Sequence, residues 1–226
     1  MPGASILPVA LYKKKLYFLF GKENPLEDSA KGFSDFGGGL EVGEKAFDTA
    51  LREGSEELTG FLGTKVELKK RLLKTGVYKI KHTFNDAEKN TYIVHIFPFS
   101  YDTGLVEYFN NTHSFLWNKM NKHMLNDSKL FEKIEIDWFC EDDLLKRINE
   151  YRPFYADIVK EIILHKDKIR TFMKQSKLRR THKCQSTCHC DLRYDASGIL
   201  RKQKMQTKRN RNIHTVKTKT RSNRRN

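Results

Sequence analysis

Apolar positions along this chain fall in short runs punctuated by polar residues, not in long blocks. Ile6–Tyr12 and Leu16–Phe20 are two such runs, and Lys13-Lys14-Lys15 between them predicts a β-hairpin. Glu23-Asn24-Pro25 breaks the pattern. Lys31–Phe36 predicts another strand, ended by Gly37-Gly38-Gly39 as a tight turn that also lets backbone approach a ligand. From Lys45 to Leu58 the period becomes helical, with Phe47, Ala50, Leu51 and Leu58 as apolar positions. In the same stretch Ala46, Ala50 and Gly54 stand four apart, a stripe of small residues that predicts close packing of helix on sheet. A helical glycine costs about 1 kcal/mol against alanine, so Gly54 points to a steric need. Val77–Lys81, Thr91–Phe97 and Lys133–Phe139 read as strands; Leu105–Met124, Asp142–Ile148 and Phe154–Met173 read as helices. The segment at about 104–124 lies between two strands and reads as a helical insertion. Strands, helix, strands and helix in that order predict an α/β fold with a mixed sheet.

Composition adds two things. With 38% hydrophobic and 12% aromatic residues the chain can bury a core. It contains no run of 18 apolar residues, so no transmembrane helix or membrane partner is expected. Met1–Leu11 lacks a signal-peptide pattern, and three of the four cysteines crowd into Cys184, Cys188 and Cys190, which is a poor disulfide framework. The expectation is an intracellular protein, cytoplasmic with a nuclear alternative. Cys140, after a strand, reads as structural.

The charge is local. Of the net +15, residues 175–226 carry +14, from 16 Lys+Arg against 2 Asp+Glu. This places a boundary near Gln175, between a nearly neutral domain over residues 1–174, closed by a helix at about 154–174, and a basic tail over 175–226. The tail is poor in apolar residues and is expected to be disordered. Its dense runs make Lys208, Arg209, Arg211, Arg224 and Arg225 candidate nucleic-acid contacts. A nuclear address or a plain solubilising tail are the alternatives. His182, Cys184, Cys188, His189 and Cys190 are Zn²⁺-ligand types, but their spacing matches no standard zinc knuckle, and reduced thiols are the default reading.

The chemistry-bearing stretch is the helix at Lys45–Leu58. At about 100° per residue, Glu53, Glu56 and Glu57 fall within an arc of roughly 100°. Three carboxylates on one face repel each other, and a hard divalent cation removes that penalty. The alternative is a solvated acidic face. The glycine-rich turn before the helix and the small residues on its other side favour a metal-and-phosphate site.

The pattern Gly38-x5-Glu44-x7-Arg52-Glu53-Gly54-x-Glu56-Glu57-x-x-Gly60 resembles the box of the Nudix hydrolases. It departs from that box at Gly54, where an aliphatic residue is usual, and at Gly60, one place late. The resemblance implies an α/β/α sandwich and Mg²⁺- or Mn²⁺-dependent hydrolysis of a nucleoside diphosphate linked to another moiety. It makes Glu56 and Glu57 metal ligands, Glu53 a further ligand or the general base, Gly37 or Gly38 a backbone carbonyl donor, and Glu44–Arg52 a structural ion pair. It leaves a distal carboxylate open among Asp102, Glu107 and Glu135. The insertion and basic tail further resemble mRNA-decapping members of the family, including those of poxviruses and related large DNA viruses. That resemblance implies capped RNA as partner, with Phe33, Phe36 or Trp138 as candidates to stack on the cap base. Small nucleotides, dinucleoside polyphosphates and diphosphoinositol phosphates are alternative substrates; a catalytically inactive RNA-binding protein is the alternative of another class.

Overall fold

The computed structural model describes residues 2–26, 31–84, 90–127 and 131–183, together with two short strands at 192–194 and 200–202. The first compact unit ends at Lys183. It opens with the expected hairpin, β1 (Gly3–Tyr12) and β2 (Lys15–Glu23), joined by Lys13-Lys14, both at positive φ as a tight two-residue turn requires. β3 (Phe33–Ser34) and β4 (Phe36–Gly39) follow. Here the structure corrects an expectation: the three glycines do not turn. They extend as a strand, Gly37 opposite Ser5 and Gly38 opposite Ala4.

Next come α1 (Ala46–Glu57), α2 (Lys65–Thr75), β5 (Tyr78–Thr83) and β6 (Thr91–Pro98). The sequence pattern missed α2. Its start is fixed by a capping box, in which Thr64 and Glu67 satisfy each other's backbone N–H groups, and it buries Leu68 and Leu72, one turn apart. The insertion is two helices, α3 (Thr103–Lys119) and α4 (Lys122–Asp127), broken at Met120, and β7 (Lys133–Cys140) follows. Residues 141–147 form successive turns and Ile148–Glu150 a 3-10 turn, in place of the helix expected at Asp142–Ile148. The expected helix Phe154–Met173 is likewise two, α5 (Pro153–Leu164) and α6 (Lys166–Lys183), with His165 between them. α6 runs through the boundary expected at Gln175, and buried Ser176 donates its hydroxyl to the Thr75 carbonyl at 2.9 Å.

The sheet has the order β3-β2-β1-β6-β5, with β4 also on β1 and β7 also on β2. It is mixed: β1 and β6 are parallel and the other pairs antiparallel. Both faces are covered, as the alternation of side chains on a strand requires. Leu7, Val9, Phe18 and Phe20 pack with Tyr155, Ile158 and Ile162 of α5 on one side. Ile6, Ala10 and Leu19 pack with Ala50 and Leu51 of α1, Leu68 of α2 and Phe109 of α3 on the other. The architecture is therefore an α/β/α sandwich. Among the described residues no helix is long and apolar enough to cross a membrane.

The second unit, Cys184–Asn226, is described only at β8 (Leu192–Tyr194) and β9 (Leu200–Lys202), an antiparallel pair. Lys208, Arg209, Arg211, Arg224 and Arg225, the expected disorder around them, and Cys184, Cys188, His189 and Cys190 lie outside the described residues.

Candidate active site

α1 lies against β1 and β4, and the contact is as close as the small-residue stripe predicts. A Cβ on Gly54 would stand 2.3 Å from Ile6 Cδ1. A side chain at that place cannot fit while Ile6 fills the space, so the aliphatic group usual in such a box is supplied from the sheet. A Cβ on Gly38 would fall 2.5 Å from Glu53 Oε1. The glycine strand is thus the wall against which the Glu53 carboxylate rests.

Arg52 organises the rest. Its Nη2 donates to Glu44 Oε2 at 3.0 Å and its Nε to Glu44 Oε1 at 3.3 Å, a forked pair. Its Nη1 donates to Glu53 Oε1 at 2.8 Å and to Glu56 Oε2 at 3.5 Å, and its Nη2 also reaches the Gly39 carbonyl at 3.4 Å. Thr49 adds a hydroxyl to Glu44 at 2.8 Å. One guanidinium therefore ties the loop before α1, the end of β4 and two helix carboxylates together. The Arg52 hydrogen bonds hold the Glu44 carboxyl down at about 2. Burial pushes the Glu53 carboxyl up, against the pull of Arg52.

Glu57 differs from its neighbours. It is 5% exposed, and its Oε1 lies 3.2 Å from the Nζ of Lys133, a fully buried lysine at the start of β7. The same ammonium donates to Glu23 Oε1 at 3.0 Å and to Ser34 Oγ at 3.0 Å, and Arg152 pairs with Glu23 from the start of α5. Burial drives the Glu57 carboxyl well above its ordinary value, although Lys133 opposes it. Breaking such a buried pair from one side costs about 3–5 kcal/mol, because the other charge is left uncompensated. Beside this group Asp35, also buried, accepts hydrogen bonds from Ser5 and, at 2.9 Å, from Tyr92; burial pushes its carboxyl up to about 6.

The three helix carboxylates expected to converge do not. Glu56 is half-exposed and held by Arg52, Glu53 leans on β4, and Glu57 turns inward to Lys133. Among the described residues no three His, Cys, Asp or Glu side chains come close enough to hold a metal ion. The donor set still fits one chemically. Glu57 Oε2 is buried with no hydrogen-bond partner, and Glu53 is a desolvated carboxylate one helical turn away. Hard carboxylate oxygens, one of them without a hydrogen-bond partner, are donors of the kind Mg²⁺ or Mn²⁺ takes.

The distal candidates take other places. Asp102 caps α3, its Oδ1 accepting the Leu105 N–H at 3.2 Å. Glu135 pairs with Lys22 at 3.3 Å on the surface, and Glu107 is exposed on α3. The stacking candidates are corrected outright: Phe33, Phe36 and Trp138 are 3%, 0% and 7% exposed and belong to the core. Instead, a cleft of about 400 Å³ opens beside Gly37–Gly39, with Phe84, Phe154 and Tyr92 as its aromatic lining. Sequence reasoning missed Glu23, Asp35, Lys133 and Arg152, whose partners lie tens of residues away in the chain.

The displaced final glycine also has a structural account. Thr59 stands at φ 50° and Gly60 at φ 73°, so the turn after α1 uses two left-handed residues. A β-branched residue there is an outlier. It is held by the insertion: His113 of α3 donates from Nδ1 to the Phe109 carbonyl at 2.9 Å, which leaves Nε2 to accept the Thr59 hydroxyl at 3.1 Å. Asn110 of α3 makes two hydrogen bonds to the Ile136 backbone, 3.0 and 2.8 Å, and so docks the insertion on β7.

No family model matches this chain, and no curated protein does. Among solved structures it is similar to the Nudix hydrolase RenU of M. smegmatis, with 12% identity over 75% of this chain and 88% of that one and a TM-score of 0.46. A mutT/nudix family protein of Listeria innocua shares 14% identity over 74% and 94%, TM-score 0.41. An Ap4A hydrolase of C. elegans shares 13% over 74% and 96%, TM-score 0.38. Likeness this low carries no functional weight; the side chains do.

Proposed function

We propose that this chain is a divalent-metal-dependent pyrophosphohydrolase of the Nudix type, acting on a nucleoside diphosphate linked to a further group. The observation that carries the reading is the Arg52 clamp: the Glu44, Glu53 and Glu56 of the sequence pattern meet on one guanidinium, with Gly38 backing the Glu53 carboxylate. Glu53, Glu56 and Glu57 are the carboxylates that would hold Mg²⁺ or Mn²⁺, with Gly37 or Gly38 offering a backbone carbonyl. A cation held there would neutralise phosphate charge and lower the pKa of a bound water, so that hydroxide is available as nucleophile. Glu53 would serve either as the third of those ligands or as the general base toward the attacking water; Arg52 fixes its carboxylate, and burial raises its basicity. Gly38, lacking a side chain, leaves room for the Glu53 carboxylate against the strand. Lys133 holds Glu57 in register from within the core.

The linked group we propose is the 5′ end of a capped RNA. The support is the charge of residues 175–226, with 16 Lys+Arg against 2 Asp+Glu, which gives affinity for a polyanion larger than a nucleotide. The test is a substrate panel in Mg²⁺ and Mn²⁺: cap-labelled RNA, free cap analogue, dinucleoside polyphosphates, nucleoside triphosphates and diphosphoinositol phosphates. The expected result is release of a nucleoside diphosphate from capped RNA, lost at least a hundredfold in Glu53→Gln. Turnover of small nucleotides but not RNA would sink the RNA reading, and full activity of Glu53→Gln would sink the enzyme reading.

A further inference from the structure

The cleft beside Gly37–Gly39 is lined on its other sides by Phe84, Tyr92, Arg152 and Phe154, and nothing in the proposed chemistry yet uses it. We infer that it is the site for the aromatic base of the substrate, with Phe154 and Phe84 as the stacking surfaces. This rests on the proposed pyrophosphohydrolase reading and names the part of the substrate that sets its position.

The argument begins with Phe154. It is 37% exposed, although its neighbour Tyr155 is fully buried. Pro153 fixes the first turn of α5, and Tyr155, Ile158 and Val159 lock that helix into the core. Phe154 is therefore a large apolar ring held outward by a rigid element. Phe84 is held from the other side of the cleft: its N–H donates to the Asn90 carbonyl at 3.0 Å, so both residues are fixed at the end of the β5–β6 pair. The two rings stand 6.2 Å apart at 67°. A planar base laid in the cleft stacks on one ring and meets the other edge-on. Both geometries are favourable for aromatic pairs. Arg152 covers part of Phe154, with its guanidinium carbon 4.8 Å from the ring centroid and already paired to Glu23, so it narrows the cleft without offering an uncompensated charge.

The floor explains why the occupant is a base joined to phosphate and not a free apolar ligand. Gly3, Gly37 and Gly38 line the cleft, and a Cβ on Gly3 would stand 2.7 Å from the Tyr92 ring. The floor is bare backbone leading to the Glu53 carboxylate. A base on Phe154 therefore directs its phosphate chain across the glycine strand toward that carboxylate.

The test uses the full chain. Calorimetric titration with GMP and AMP, without divalent ion, reads base binding directly. Steady-state kinetics with a dinucleoside polyphosphate in Mg²⁺ read KM and kcat, and inorganic tripolyphosphate serves as a base-free competitor. Phe154→Ala and Phe84→Ala should each weaken mononucleotide binding and raise KM about tenfold, within the range for loss of one base–aromatic stack. The kcat and the Ki of tripolyphosphate should stay put, and Phe154→Trp should restore affinity. If an alanine variant is unfolded, Phe154→Leu keeps the apolar volume without a π face and should show the same loss. Unchanged nucleotide affinity, or an equal loss for tripolyphosphate, overturns the inference. Nucleotide binding that depends on Phe154 without hydrolysis of any panel compound would leave the base site standing and remove the proposed function. Hydrolysis indifferent to both phenylalanines would do the reverse.

Discussion

Two adjacent glycines of β4 do different work, and single substitutions separate them. A Cβ on Gly37 would meet Ser5 Cβ at 2.3 Å and the Ala4 carbonyl at 2.5 Å, both parts of the neighbouring strand. Strand backbone cannot move aside cheaply, so Gly37→Ala should destabilise the fold by about 1–3 kcal/mol, read by urea denaturation. The atoms nearest a Cβ on Gly38 belong to the end of the Glu53 side chain, which yields more cheaply than backbone. Gly38→Ala should therefore keep the melting profile and lose activity by about a hundredfold, the effect of shifting a reacting group by an ångström. Equal stability losses in both variants would refute the distinction. Glu44 supplies a pH signature. Its carboxyl is held at about 2 by Arg52, below the ordinary value of 4.5. A depressed folded-state pKa contributes stability that is fully present above the unfolded value and is lost as pH falls from about 4.5 through about 2. Wild type should lose stability across that window more steeply than Glu44→Gln, with the two converging at the acid end. Parallel pH profiles would show that the pair does not stabilise the fold.

At the scale of elements, the packing of α1 on β1 was legible in the chain because the signal is local. Ala46, Ala50 and Gly54 recur on one face, and the structure finds Ile6 Cδ1 in the space a Gly54 side chain would take. This gives a test of the divergent box. Gly54→Ala gains about 1 kcal/mol of helix propensity but overpacks Ile6, so it should be destabilising on balance. Ile6→Ala alone should cost about 2–5 kcal/mol. The double variant should cost less than the sum of the two by more than 0.5 kcal/mol, the mark of direct coupling; strict additivity would mean that Ile6 is not what excludes a side chain. Local spacing also carried the hairpin, β6 and β7, and the resemblance to the Nudix box implied the Glu44–Arg52 pair at the centre of the clamp. It failed where structure depends on partners distant in sequence. Lys133 stands in the sequence only as the first residue of a strand, and the pairing of β7 with β2 brings it to Glu23 and Glu57. From the sequence, Phe33, Phe36 and Trp138 are candidates to stack on a cap base, with core the commoner place for such rings, and the two-sided sheet buries all three. Phe84 and Phe154 reach one cleft through the meeting of β5–β6 with α5, seventy residues apart in the chain. The signal for α2 was present in Thr64 and Glu67, but its polar composition hid a helix that buries little.

For the whole molecule the question is why a nearly neutral folded domain carries so basic an extension. The +14 of residues 175–226 is too large to be a by-product of composition, because the rest of the chain balances its charges to +1. If that charge engages the RNA body, affinity and turnover should separate by substrate size. Replacing Lys208, Arg209, Arg211, Arg224 and Arg225 with glutamine in the full chain removes up to five phosphate contacts. For a single strand this lowers the slope of log affinity against log salt by up to about 3.5. Capped RNA should then bind more weakly at low salt, and its KM should rise. A dinucleoside polyphosphate spans only the cleft and the carboxylates, so its KM and kcat should not change. The two substrates should approach equal sensitivity as salt rises, since screening removes the same contribution that the substitutions remove. A parallel loss on both substrates would place the basic residues in folding or in the active site. No loss on either would detach the tail from catalysis and leave the box, the clamp and the cleft as a complete small-nucleotide enzyme.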